Sequence, residues 1–150
     1  MNKRLLARAL AVWLLIILAE SIHGTLRTLL LVPLMGDFPA RQVSVFTGAV
    51  IIFAVAWFTH RWMWRERVSP SVVIPSERSD EESAFPPNPT YAIGTLWVAL
   101  TITFEITLGR ALGMPWSRIL EDYNLLQGGL MPLGLVALWA TPWLVARLRR

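Results

Sequence analysis

The sequence predicts an all-α, polytopic membrane protein with four transmembrane helices arranged as two similar helical hairpins. Two observations carry this. Hydrophobic residues fill 55% of the 150 positions and charged residues only 16%, where a soluble domain averages about a quarter charged. The charges are also unevenly placed, because four apolar blocks near the length of about 20 residues that crosses a bilayer alternate with short charged segments. Each block is about twice as long as a barrel strand and lacks strict alternation, which selects helix over strand. The apolar content excludes a disordered chain. The absence of cysteine excludes a disulfide framework, a thiol enzyme and a Cys-based zinc module.

The first span runs from about Leu5 and is expected to continue as helix to Val32, with Pro33 and Gly36 breaking it. Lys3 and Arg4 give it the basic start of a signal peptide, but no A-x-A cleavage site follows and the helical pattern runs past Glu20, so it reads as an uncleaved span. The second span is Val43–Trp64, the third Tyr91–Leu112 and the fourth Leu125–Leu148. Between the second and third lies 68–90, which holds half of the ten prolines and a Ser/Glu/Asp cluster. It reads as a disordered cytoplasmic linker. Residues 1–67 form the first transmembrane hairpin and 91–150 the second.

Orientation follows from basic residues beside the span ends. Lys3, Arg4 and Arg8 precede span one, Arg61, Arg65 and Arg67 follow span two, and Arg147, Arg149 and Arg150 follow span four. The opposite side carries fewer, Arg41 and Arg118 in its loops with Arg27 and Arg110 at helix ends, so both termini are expected in the cytoplasm. Trp62, Trp64, Trp116 and Trp143 fall near the predicted boundaries, as an aromatic belt requires. The surplus of fourteen Lys+Arg over ten Asp+Glu, +4 in all, is explained by these boundary positions and does not point to nucleic acid.

Shifting the chain by 85 residues aligns the hairpins: Glu20 with Glu105, Gly24 with Gly109, Asp37 with Asp122, Gln42 with Gln127, and Phe38 with Tyr123. The weight of this weak internal repeat lies in rare polar residues that coincide inside or beside apolar helices. Two-span copies would share one orientation and be related by an axis along the membrane normal.

The segment Phe104–Leu144 carries Phe104, Glu105, Gly109, Arg110, Trp116, Leu120, Asp122, Tyr123 and Leu125. That Phe-Glu, Gly-Arg, Trp-x-x-x-Leu-x-x-Asp-Tyr-x-Leu pattern between two membrane helices resembles a family of small uncharacterised bacterial four-span inner-membrane proteins. The first hairpin, with its GDFPARQVSVFTG stretch, is similar to such proteins too. The resemblance implies a multi-pass protein of the bacterial cytoplasmic membrane and brings no activity with it.

The intramembrane polar residues form the first candidate site: Glu20, His23, Arg27, Glu105 and Arg110. Glu20 lies about 22 Å along its helix from Leu5, and Glu105 about 21 Å from Tyr91, at 1.5 Å per residue. The two carboxylates therefore share a depth in the non-cytoplasmic leaflet, while Arg27 and Arg110 lie further out, where long stems snorkel. A charge in hydrocarbon costs about 2.5–3.5 kcal/mol on insertion scales, so both glutamates should face protein. Glu20, His23 and Arg27, at i, i+3 and i+7, share one helix face. Thr101 and Gly109 lie one turn either side of Glu105, Arg110 is offset, and Gly24 and Gly109 are expected to let helices approach beside the carboxylates.

Three readings are compatible with this cluster. Glu–Arg pairs and histidine hydrogen bonds could hold the helices in register. Paired carboxylates and a titratable histidine could pass protons or bind a cation or amine. Glu20, His23 and Glu105 could make a lean metal or catalytic site, since Glu20-x-x-His23 has the spacing of carboxylate di-iron bundles; the second copy those need is missing, because Leu108 stands in place of its histidine. His23 and His60, the two histidines, fall toward opposite membrane faces and do not suit a haem.

The outer loops give a second set: Asp37, Arg118, Asp122 and Tyr123. Asp37 is expected to cap the turn before span two, and Arg118 and Asp122, at i and i+4, suggest a short amphipathic surface helix. No phosphate-cradling glycine loop, nucleophile elbow or His-rich zinc motif occurs, so neither cofactor nor metal is expected and the sequence leans away from an enzyme. Two functions remain: a structural or accessory membrane protein that assembles with itself or a larger complex, and a small proton, cation or amine transporter or channel built on Glu20 and Glu105. Four short spans leave little room for a solute cavity in one protomer, so transport would favour an oligomer.

Overall fold

The computed structural model describes residues 3–64 and 89–149; the predicted linker up to Asn88, with Arg65, Arg67 and Arg150, lies outside the described residues. All elements are helical. The chain runs through α1 (Lys3–Leu26), a π-helical turn (Arg27–Leu31), α2 (Val32–Met35), α3 (Asp37–Met63), α4 (Pro89–Ala111), α5 (Trp116–Glu121), a short 3-10 turn (Leu125–Gln127) and α6 (Met131–Leu148). Four helices are long and apolar enough to cross a membrane: Lys3–Met35, Asp37–Met63, Pro89–Ala111 and Met131–Leu148.

Several boundaries differ from the sequence-based expectation, among them the start of the second span, which is Asp37 rather than Val43. Pro33 does not break the first span. Its ring would press on the carbonyl of Leu29 and it offers that carbonyl no N–H, and the π turn just before it widens the helix there. The chain turns only at Gly36, whose φ of 84° suits glycine. The fourth span begins at Met131 rather than Leu125, because Gly128 at φ 83° ends the 3-10 turn and Pro132 then occupies the first turn of α6. The third span begins at Pro89, two residues before the expected start.

The four spans form a bundle in which α1 packs on α3, α3 on α6, and α6 on α4. Each helix buries a narrow stripe: Ala9, Val12 and Ile16 on α1, Ala40, Ser44, Gly48, Ile52 and Ala56 on α3, Ile93, Gly94, Trp97 and Thr101 on α4, and Leu138, Thr141, Pro142 and Val145 on α6. The spacings of three and four keep each stripe on one face. Phe58, Val50, Leu14 and Leu18 point away from the bundle and are exposed, the arrangement lipid requires. Several hydroxyls on the spans donate within their own helix, as with Ser21 to Ile17 O at 2.7 Å and Thr107 to Thr103 O at 2.7 Å, whereas Ser44 Oγ is buried without a partner.

Helices α1 and α4 are bridged by two tryptophans. Trp13 Nε1 donates to Thr101 Oγ1 at 3.0 Å, and Trp97 Nε1 donates to the Ala9 carbonyl at 2.9 Å. Trp13 also meets Phe104 edge to face, with centroids 6.4 Å apart. These bulky bridges fill one half of the bundle. Arginines stack on tryptophans at both of its ends: Arg8 on Trp62, Arg149 on Trp57 and Arg147 on Trp143 at one, Arg110 on Trp116 at the other.

Candidate functional site

Beyond the tryptophan bridges, the loop-side half of the bundle opens into a cavity of about 400 Å³. Glu20, His23 and Arg27 from the first span and Glu105 with Thr101 from α4 line it, together with Ser44 and Gly48 of α3. A second cavity, also about 400 Å³, lies toward the loops and is lined by Tyr123, Arg118, Phe38 and Gln42. Arg27, Arg41 and Glu105 border both.

Glu20 and His23 meet as their i, i+3 spacing requires, with Oε2 3.4 Å from Nδ1. The other ring nitrogen of His23 lies 2.8 Å from Thr47 Oγ1, which ties α1 to α3. The carboxylate of Glu20 sits against Gly48, where a Cβ would come within 2.8 Å of Oε2. Its Oε1 is buried without a hydrogen-bond partner. Gly48→Ala is therefore expected to displace the Glu20 side chain while the helices stay in place, because the obstructing atom is the end of a flexible chain; a crystal structure of the variant would show whether Oε2 leaves His23.

Glu105 accepts a hydrogen bond from the Tyr123 hydroxyl at 3.3 Å. Burial, with the nearby Glu105 carboxylate second, pushes the Tyr123 phenol up to about 12, so it remains a donor through the whole physiological range. Tyr123→Phe removes that donor and is expected to cost about 1 kcal/mol, readable as a lower midpoint in detergent denaturation.

The structure separates the predicted residues into three places. Glu20, His23, Arg27 and Glu105 come together around the inner cavity. Arg110 does not join them: it donates to the Met114 carbonyl at 2.8 Å, stacks on Trp116 at 5.2 Å and lines neither cavity. Asp37, Arg118 and Asp122 form an ion cluster with Arg41 and Glu121. Arg41 reaches Asp37 at 3.2 Å, Glu121 at 3.4 Å and Asp122, while Arg118 reaches Asp37 at 3.6 Å, Glu121 at 2.9 Å and Asp122 at 3.8 Å. Two hairpins far apart in sequence are thus joined over the cavity mouth. Asp37 is the first residue of α3 and makes no capping hydrogen bond; it favours the helix as a first-turn acid instead.

Desolvation works against ionisation of Glu121, but the guanidinium groups of Arg118 and Arg41 outweigh it and hold its carboxyl below the ordinary value of 4.5. The stabilisation is therefore complete above the ordinary value and is lost as pH falls through the depressed one. Glu121→Gln should flatten the acid limb of the stability profile below about pH 4.5, measured as thermal unfolding midpoints in detergent across that range.

Three further site residues escape the sequence reading. Thr47 and Gly48 look like ordinary small residues of an apolar helix, and Arg41 looks like a boundary charge. Glycine roles also change. Gly24 has nothing within 4 Å of a Cβ position, and Gly109 faces Ile119 of α5, so neither brings helices together beside the carboxylates. No group of three or more His, Cys, Asp or Glu side chains placed to hold a metal ion is found among the described residues.

The fold and site define a multi-pass helical membrane protein whose bundle encloses a largely apolar cavity bearing Glu20, His23, Arg27 and Glu105. Comparison with protein-family models, with curated proteins and with solved structures yields no match.

Proposed function

We propose that the chain takes a proton or a small cation, amines included, into the cavity between Glu20 and Glu105 and serves its passage across the membrane. One observation carries this reading. Acids from two different hairpins line one cavity, and neither forms an ion pair with an arginine among the described residues. Carboxylates serving only as interhelical glue would be neutralised; left open to a cavity, they favour a titrating or cation-binding role. The test is flux in proteoliposomes loaded with pyranine under a potassium diffusion potential. Glu20→Gln with Glu105→Gln is expected to lower proton flux at least tenfold without lowering the unfolding midpoint. Flux unchanged by both substitutions would reject the reading.

The ion cluster supports a second reading, an accessory protein that assembles with itself or a larger membrane complex. Asp37, Glu121 and Asp122 are each about half exposed and form a fixed polar surface over the loops. In that case Asp37→Ala with Glu121→Ala would abolish cross-linked assemblies in native membranes while flux stays as it was.

We also place the protein in a bacterial cytoplasmic membrane with both termini inside. The resemblance of Phe104–Leu144 supports the compartment, and Lys3, Arg4, Arg8, Arg61, Arg147 and Arg149 gathered at one end of the spans support the orientation. The two hairpins read as copies, supported by the aligned pairs: Glu20 and Glu105 share a cavity, and Asp37 and Asp122 share Arg41.

A further inference from the structure

We propose that the occupant of the inner cavity is a small zwitterion, whose ammonium group meets Glu105 and Glu20 and whose anionic group meets the Arg27 guanidinium. The proposal rests on reading the two glutamates as a cation site, and adds the anionic half of the ligand.

Arg27 carries the argument. It opens the π turn of the first span, and such turns in α-helices frequently mark functional sites. The other arginines of the loop-side half are engaged: Arg41 and Arg118 in the ion cluster, Arg110 on the Met114 carbonyl and the Trp116 ring. The Arg27 guanidinium has no ion pair or hydrogen bond among the described residues, and its Nε is buried. It nevertheless lines the same cavity as both glutamates.

A guanidinium held unpaired within a membrane span calls for an anion. A simple anion would also meet the two carboxylates, neither of which is paired with an arginine among the described residues, and a simple cation would meet Arg27. A ligand carrying both charges satisfies each side. The cavity of about 400 Å³ falls in the ordinary range of small-molecule sites, about 300–1,000 Å³. Arg27 and Glu105 also border the outer cavity, which gives the ligand an approach from the loops. Glu20 and Arg27 are seven residues apart, about 10 Å of helix rise. That separation favours an ω-amino acid over an α-amino acid.

The experiment is calorimetric titration of the full chain in phosphatidylglycerol nanodiscs with 4-aminobutyrate, n-butylammonium and butyrate. 4-Aminobutyrate is expected to bind at least tenfold more tightly than n-butylammonium, with butyrate weakest. Arg27→Gln is expected to erase the preference for 4-aminobutyrate over n-butylammonium, and Glu105→Gln to weaken both at least tenfold. Equal affinity of the unmodified protein for 4-aminobutyrate and n-butylammonium overturns the zwitterion and leaves the cation site standing. Failure to bind either overturns both. A preference for 4-aminobutyrate that survives Arg27→Gln overturns the assignment to Arg27. Repeating the titration in nanodiscs containing phosphatidylethanolamine separates two sources of the same chemistry: competition there supports a lipid headgroup as the occupant, and unchanged affinity supports a soluble zwitterion.

Discussion

Trp97→Ala is expected to lower stability by about 3–5 kcal/mol, the range for removing a large buried aromatic, read as a shift in detergent denaturation followed by circular dichroism. Trp97 is 0% exposed and sits among the buried residues at the centre of the bundle. Its indole is also one of the two bridges from α4 to α1, through the Ala9 carbonyl. Helix association in a membrane depends on packing and interhelical hydrogen bonds, because lipid tails are as apolar as the core. The substitution removes both contributions at one position. Trp97→Phe separates them: it keeps most of the ring and loses the N–H, and should cost about 1 kcal/mol, since the Ala9 carbonyl lies within helical backbone. A loss under about 1 kcal/mol for Trp97→Ala would mean that α4 does not pack as described.

Much of this architecture was legible in the sequence because span length and charge placement are one-dimensional signals. Four apolar blocks became four spans, and Glu20 and Glu105, singled out as acids at matched depth, line one cavity. The i, i+3 relation of Glu20 and His23 is likewise local and survived as a contact. Legibility fell where the outcome depends on a partner distant in sequence. Arg41 looks like a boundary marker until Asp122 is brought to it across the hairpins. Arg110 looks like a partner for the acids until the turn at Gly113, with φ 76°, supplies the Met114 carbonyl and the Trp116 ring nearby. Pro33 signals a break in any local reading, yet the π turn before it lets the helix continue to Met35. That detail bears on function, since Arg27 begins the same turn.

The glycines give the sharpest contrast between local signal and packing, and the second large effect. Gly94→Ala is expected to cost about 1–3 kcal/mol as overpacking, and Gly94→Leu to leave little folded protein in detergent. A Cβ at Gly94 would overlap the Trp139 carbonyl of α6, and a backbone atom cannot swing aside as the end of a side chain can. The strain would have to be relieved by parting α4 from α6. That movement would loosen the Tyr91–Trp139 stack, with centroids 5.4 Å apart, and the bond from Trp139 Nε1 to Thr95 Oγ1 at 3.2 Å. Gly24→Ala provides the opposite expectation. Nothing lies within 4 Å of its Cβ position, so alanine should be neutral or stabilise the helix by about 0.5–1 kcal/mol. By sequence alone Gly24 is the stronger candidate for a helix contact, because it aligns with Gly109 and lies one turn from Glu20. Equal effects of alanine at the two positions would contradict the packing of α4 on α6, whereas a penalty confined to Gly94 places the closest backbone approach between those helices, away from the carboxylates. The two acids line the cavity on the loop side of the bundle instead, where the proposed ligand would meet them.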